Sequence, residues 1–457
     1  MLSAPWLLTL LLMPAPQAME APAPSAALES RPRPEDTSPL QRRIDEARPG
    51  SVIDVDPGTY EGDLIIDRAL RLVGHGRPRL LGSGHGSVVR IRATDVTVEG
   101  FDIDGRGGGT MDQDASGVHV AAARATIRDC RIDRTLFGIY LRQANGAVVD
   151  HCVITGARDR DPGEQGSGIH VFDTDGFTLT GNTIQYMRDG IYIQASPHGV
   201  TRHNTARDLR YGLHYMSSDD NTFEDNLFER GAAGAALMYS RRLVFKRNRF
   251  FANRGFASVG LLLQVCDDVL AEDNLIADNA RGVFLEGSHR TVFRRNVIAN
   301  SDTALVIYDS ARESQFLGNV FLGNLSPLLL VGRHSDAVVD GNYWSGSAGT
   351  DFDSDGIEDR PYRLSNVFDH LRGNLTAADL FAQGVGASVL AKAEDAFPVL
   401  NPVPVVDAHP LVRPPTLPDV PAVTYSARRG RVWGAVLSAC AAAAGLVLLV
   451  AGGRRRA

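Results

Sequence analysis

Cysteine is scarce in this chain of 457 residues: there are four, and no two stand in a CxxC pair. That excludes a disulfide-stapled miniprotein and a thioredoxin-like redox motif. Aromatic residues amount to only 7 %, so a core has to be assembled from small and branched side chains. No charge of one sign prevails. Forty-seven Lys and Arg stand against 54 Asp and Glu, a net charge of -7, which excludes a general nucleic-acid binder. What is plentiful is glycine, 46 residues, with 23 prolines, spread along the chain as in a protein that turns often.

Long apolar runs are confined to the two ends. Trp6 to Met13, interrupted by Thr9 and followed by small residues at Ala15 to Ala18, predicts a signal peptide over 1–18, although a basic leader segment is missing. A Pro-rich linker follows over 19–37. Near the other end, 432–452 holds no charge and is long enough to cross about 30 Å of hydrocarbon as a helix. Arg428, Arg429 and Arg431 before it balance Arg454, Arg455 and Arg456 after it, so flanking charge does not orient it. The export signal does: the expected arrangement is a periplasmic body anchored to the inner membrane, with 453–457 in the cytoplasm. A buried core helix is the alternative.

The middle repeats. GVHV, GIYL, GIHV, GIYI, GLHY, GAAL, GLLL and GVFL start at Gly117, Gly138, Gly168, Gly190, Gly212, Gly234, Gly260 and Gly282, mostly 22 residues apart. Independently, Asn182, Asn204, Asn226, Asn248, Asn274, Asn296, Asn319 and Asn342 recur at 22 or 23 residues with one step of 26. Short β-branched runs at such a period, without helical periodicity, predict an all-β fold, a right-handed parallel β-helix, each repeat forming one coil. The Asn column is expected to bond from coil to coil at an inward turn. Thr174, Ser196, Ser218, Ser240, Cys266, Ser288 and Ser310 form a second scaffold column. Cys130 and Cys152 occupy the Asn position of two early coils, as buried thiols or as a bridge that in-register side chains suit poorly. Ser38 to Gly62 reads as an N-terminal cap of one amphipathic helix and a strand, completing a β-helix over 38–345. An acidic loop and a C-terminal cap are expected over 346–410, with helical composition at Phe368 to Ala393, and a Pro/Arg-containing stalk over 411–431.

Function is expected on outward columns. Two residues after each repeat Gly come His119, Tyr140, His170, Tyr192 and His214; four after come Gln194, Met216, Met238, Gln264 and Glu286. Met216 and Met238 are then neighbours about 4.8 Å apart, with His214 on the same side of its strand. Two thioethers and an imidazole are the ligand set of a soft ion such as Cu(I), with His170 a more distant donor. A docking patch for another protein explains the same residues. In DFDSDGIED, Asp351, Asp353, Asp355 and Asp359 follow the opening of a calcium loop, but Tyr362 stands where the closing Glu belongs. A β-helix enzyme acting on acidic polysaccharide, a lyase or epimerase, is the rival class. Its candidate groups are Asp173, Asp175, Arg188, Asp189 and Arg210, and packing or salt bridges explain Asp189 and Arg210 equally well.

The segments RDGIYIQAS (188–196), DLRYGLHYMSSDDN (208–221), GAALMYS (234–240), GVFLEGS (282–288), GNYWSG (341–346), DFDSDGIEDRPYR (351–363) and DAHPL (407–411) resemble the NosD family. The likeness runs from about Ser38 to Leu411. It implies a non-enzymatic β-helix that works with an ABC transporter of membrane and ATPase subunits. It also implies delivery of copper from a lipid-anchored chaperone to nitrous oxide reductase. The chain departs from the family's pattern in its Arg-flanked C-terminal segment and in Ser217, where a Tyr is expected.

Overall fold

The computed structural model describes residues 38–108, 115–158, 161–255, 257–332, 334–364 and 405–422. The signal-peptide, cap-helix and membrane-helix expectations at 1–18, 368–393 and 432–452 lie outside them, as does Cys440. Among the described residues no helix is long and apolar enough to cross a membrane.

The chain winds as a right-handed parallel β-solenoid of about 13 turns. Each turn contributes one strand to each of three sheets, of 15, 13 and 12 strands. Neighbours within a sheet are one turn apart in sequence and pair in parallel, with a single antiparallel pair at the C-terminal end. The β-branched runs suit this geometry, because the side chains inside the coil alternate with those outside it. Val118, Ile139, Ile169, Ile191, Leu213, Ala235, Leu261 and Val283 form one fully buried inward column. Tyr215 also points inward. It is tolerated because its hydroxyl donates to Ser218 O at 2.6 Å and accepts from Asn221 Nδ2.

The asparagine ladder is continuous. Each Nδ2 from Asn182 to Asn319 donates to the Oδ1 of the next rung at 2.9 to 3.0 Å. Asp407, of the DAHPL segment, supplies the last rung: it is fully buried and accepts from Asn342 Nδ2 at 3.0 Å and from Trp344 Nε1 at 2.9 Å. Cys130 and Cys152 are buried free thiols in the same column, where the Cys152 amide donates to Asn182 Oδ1. The Ser column bonds likewise, as from Ser196 N to Ser218 Oγ at 2.9 Å.

At the N-terminal end the helix Pro39–Glu46, capped by Ser38, buries Leu40, Gln41 and Ile44. Gln41 closes the first rung by bonding both the amide and the carbonyl of Ile65. The strand Ser51–Val55 is already part of the 15-stranded sheet, so winding begins well before the first repeat Gly. At the C-terminal end the expected free stalk is corrected over its described part. Leu411 bridges to Tyr343, and Val420 then packs on Leu275, Ala277 and Ala299, three or so coils back. The reason is apolarity. Along one outward column of the 13-stranded sheet Asp133, Thr155, Gln185, Arg207 and Glu229 give way to Phe251, Ala277, Ala299 and Leu322, so the Pro-rich segment lies along the solenoid as a strap.

Candidate functional site

The outer face of the 12-stranded sheet carries the expected stripe. The register pairs His119 with Tyr140, Tyr140 with His170, His170 with Tyr192, and Tyr192 with His214. Successive ring centroids lie 5.3, 4.5, 4.5 and 4.8 Å apart, three of the contacts edge to face and one stacked. Phe137 lies against Tyr140 and His170. The N-terminal part of the stripe is therefore covered. His119 is buried, and burial, reinforced by Arg90, Arg142 and Arg92, pushes its pKa down to about 4. Burial does the same to His170, down to about 3, with Arg188 adding to it, and the His170 Nδ1 has no hydrogen-bond partner among the described residues.

Met216 and Met238 are paired residues of adjacent strands, Tyr211–Met216 and Ala233–Arg241, and both are half-buried on the outer face. His214 stands two residues before Met216 on the same face, its side chain 16 % exposed. The three predicted donors thus share one wall. His170 does not join them, because it lies two coils away with Tyr192 between. The Tyr192 hydroxyl lies 2.8 Å from Gln194 Oε1 and 3.4 Å from Met216 Sδ, and it donates to one of them at a time.

Behind His214 sits a charge cluster. Arg210 grips Asp189 with Nε to Oδ1 at 2.9 Å and Nη2 to Oδ2 at 2.6 Å, while His214 Nδ1 lies 3.2 Å from Oδ2. Asp189 is fully buried. Burial alone would raise its carboxyl, but the bonds from His214 and Arg210 outweigh it and hold the pKa down at about 2. Asp189 and Arg210, two of the five groups considered for lyase chemistry, are therefore committed to each other, and a third, Arg188, places its Nε 3.6 Å from the same Asp189 Oδ2. Asp173 and Asp175 lie on a turn by a polar cavity of about 400 Å³, where Gln143 Nε2 donates to Asp173 at 2.9 Å and His198 Nδ1 meets Asp175 at 2.8 Å.

Beyond His214 its own column turns apolar through Ala236, Leu262 and Phe284, while the methionine column continues as Gln264 and Glu286. Tyr211, Ala233, Ala236, Met238, Val259 and Leu262 line a cavity of about 420 Å³, walled on one side by Arg254, Gly255, Ala257 and Ser258 of the lengthened 26-residue coil. In the acidic loop, carboxylate oxygens of Asp351, Asp353 and Asp355 lie within 4.8 Å of one another, close enough to converge on one hard cation. Asp359 is not among them: its Oδ2 accepts from the Phe352 amide at 2.6 Å.

Reasoning from the sequence missed the paired corners. Asp220 and Arg242, Asp225 and Arg247, Asp268 and Arg290, and Asp273 and Arg295 form two-pronged pairs one coil apart. Each residue has φ between 52° and 59°. For two of these pairs the available signal was an Asp or Arg immediately before Asn226, Asn248, Asn274 and Asn296; for the other two it was the recurrence of Asp220, Arg242, Asp268 and Arg290 five residues earlier.

This architecture, with soft donors on one outer sheet, is that of a right-handed parallel β-helix. Solved structures share the fold. The A-module of the mannuronan C-5 epimerase AlgE6 from Azotobacter vinelandii is 18 % identical, with a TM-score of 0.54 over 66 % of this chain and 94 % of its own. The family 28 exopolygalacturonase of Yersinia enterocolitica is 12 % identical, with a TM-score of 0.52 over 66 % of this chain and 74 % of its own. At such identity the likeness is one of fold.

The sequence matches the family described as "Periplasmic copper-binding protein (NosD)" over residues 153–373. A protein of Pseudomonas aeruginosa named probable ABC transporter binding protein NosD is 31 % identical over 376 residues, covering 78 % of this chain and 87 % of its own. A protein of Stutzerimonas stutzeri with the same name is 29 % identical over 379 residues, covering 79 % and 86 %. The chain belongs to the NosD family.

Proposed function

We propose that this protein is a periplasmic accessory protein that works with an ABC transporter and hands Cu(I) onward for the maturation of nitrous oxide reductase. The observation that carries the reading is the meeting of His214, Met216 and Met238 on one outer wall from two coils. The family's description as a copper-binding periplasmic protein and the transporter-binding names of its relatives support it.

Copper is cargo in this reading. Thioethers suit Cu(I) because both are soft, and a methionine resists the disulfide formation that a thiol risks outside the cytoplasm. Three neutral donors hold the ion weakly enough for ligand exchange with a partner's own side chains. The apolar cavity beside Met238 gives a lipid-anchored copper chaperone, or the reductase, a place to dock during the exchange. The ATPase cycle of the transporter then biases which partner is bound.

The double variant Met216→Leu with Met238→Leu keeps bulk and removes both sulfurs. Cu(I) affinity, measured by competition with a chromogenic chelator, is expected to fall at least tenfold with the melting temperature nearly unchanged, and maturation of the reductase is expected to fail. Unchanged affinity and normal maturation would exclude the site.

A further inference from the structure

Resting on the copper reading above, we propose that Asp189 is a positioning residue: it holds His214 in the ring tautomer that leaves Nε2 free as a donor to the cargo. An ionised carboxylate only accepts hydrogen bonds, so the 3.2 Å contact between His214 Nδ1 and Asp189 Oδ2 places the ring proton on Nδ1. Arg210 does not reverse this. Of the two protons on its Nη2, one bonds Asp189 Oδ2 at 2.6 Å and the other reaches Nδ1 only at the limit, 3.5 Å, so the shorter contact of Nδ1 with the ionised carboxylate sets the tautomer.

With Nδ1 protonated, the neutral ring carries its lone pair on Nε2, and the ring's hydrogen bonds to the described residues are both made at Nδ1. The ring plane is fixed as well. Tyr192 and Tyr211 meet it edge to face at 4.8 and 5.2 Å, and the guanidinium of Arg210 lies over Tyr211 at 4.4 Å. A carboxylate behind a ligating imidazole sets its tautomer and raises its basicity.

The scaffold itself does not call for a carboxylate at this position. The residues paired with Asp189 or continuing its register are Ser167, Tyr211, Ala233, Val259, Arg281, Thr303 and Ser326, and the solenoid winds through all of them in the same way. Asp189 is the only acid in that run, and it lies beside the only imidazole that shares a strand with a methionine of the outer pair.

The test uses the full-length chain with 15N-labelled histidine. Imidazole 15N shifts recorded without metal are expected to show His214 as the Nδ1–H form. The double variant Asp189→Leu with Arg210→Met removes the ion pair as a unit, so that no buried charge is stranded. It is expected to give mixed tautomers and Cu(I) affinity about tenfold weaker by chelator competition. Should it fail to fold, Asp189→Asn carries the same two measurements. An unaltered tautomer or unaltered affinity in a folded variant overturns the role of Asp189. If Met216→Leu with Met238→Leu leaves affinity unchanged, the copper reading fails instead, and the metal-free spectra still decide whether Asp189 governs the ring.

Discussion

At the scale of single residues, the outer stripe looks like a row of ionisable histidines and behaves largely as a row of neutral aromatic rings. His119 shows why. Burial removes the water that would stabilise an imidazolium, and Arg90, Arg142 and Arg92 oppose a further positive charge, so the folded pKa falls from the ordinary 6.5 to about 4. Between those values the unfolded chain binds the proton that the folded chain refuses, so stability is complete above about pH 6.5 and declines as the pH falls toward 4. His119→Gln is expected to lessen the loss of stability between pH 7.5 and 5 by about 2 kcal/mol, measured by urea unfolding at both values. The identities on this stripe were legible in the sequence, because a period of 22 converts distance along the chain into neighbourhood in space. The hold of Asp189 on His214 was not. Spacing places two residues on adjacent coils, but only rotamers decide whether a carboxylate turns toward a guanidinium alone or toward an imidazole as well.

At the scale of elements, the three sheets depend on what closes their corners. The asparagine column was readable from sequence, since a polar residue recurring amid apolar runs must be satisfied by its own copies above and below. Asn226 accepts from both the amide and the Nδ2 of Asn204, and its own Nδ2 donates to Thr201 O and Asn248 Oδ1. Asn226→Ala strands several buried polar groups at once, and a loss on the order of 3 kcal/mol is expected in chemical denaturation. Met216 and Met238 lie on a different sheet, so this loss should leave Cu(I) affinity in the folded fraction unchanged. The adjacent Asp and Arg corners escaped notice because surface charges at a repeat position look like ordinary solvation. Their positive φ brings them into a column where opposite charges alternate along the axis. Exposed pairs of this kind add little individually; their alternation chiefly avoids the repulsion that a column of one sign would create.

At the scale of the whole molecule, the strap sets where the chain goes after the solenoid ends. The sequence suggested a stalk because Pro-rich segments are stiff and extended. Stiffness and extension are equally what a strap needs, and the deciding information lay elsewhere, in the change from polar to apolar outward residues along the 13-stranded sheet. Leu275, Ala277 and Ala299 face outward yet are almost completely buried, with Val420 packed on them. The segment therefore carries the chain back to the strands Leu275–Ala277 and Val297–Ala299. Val420→Asp sets a carboxylate against that apolar column, and its desolvation should release the strap without unwinding the coils. Hydrogen exchange at the amides of Leu411, Val412 and Val420 separates the outcomes. Leu411 and Val412 bond to Asn342 O and Gly356 O at the end of the solenoid and should stay protected, whereas Val420 should exchange much faster than in the wild type. Equal protection at Val420 in both proteins would mean that its packing on the sheet does not hold the strap in place.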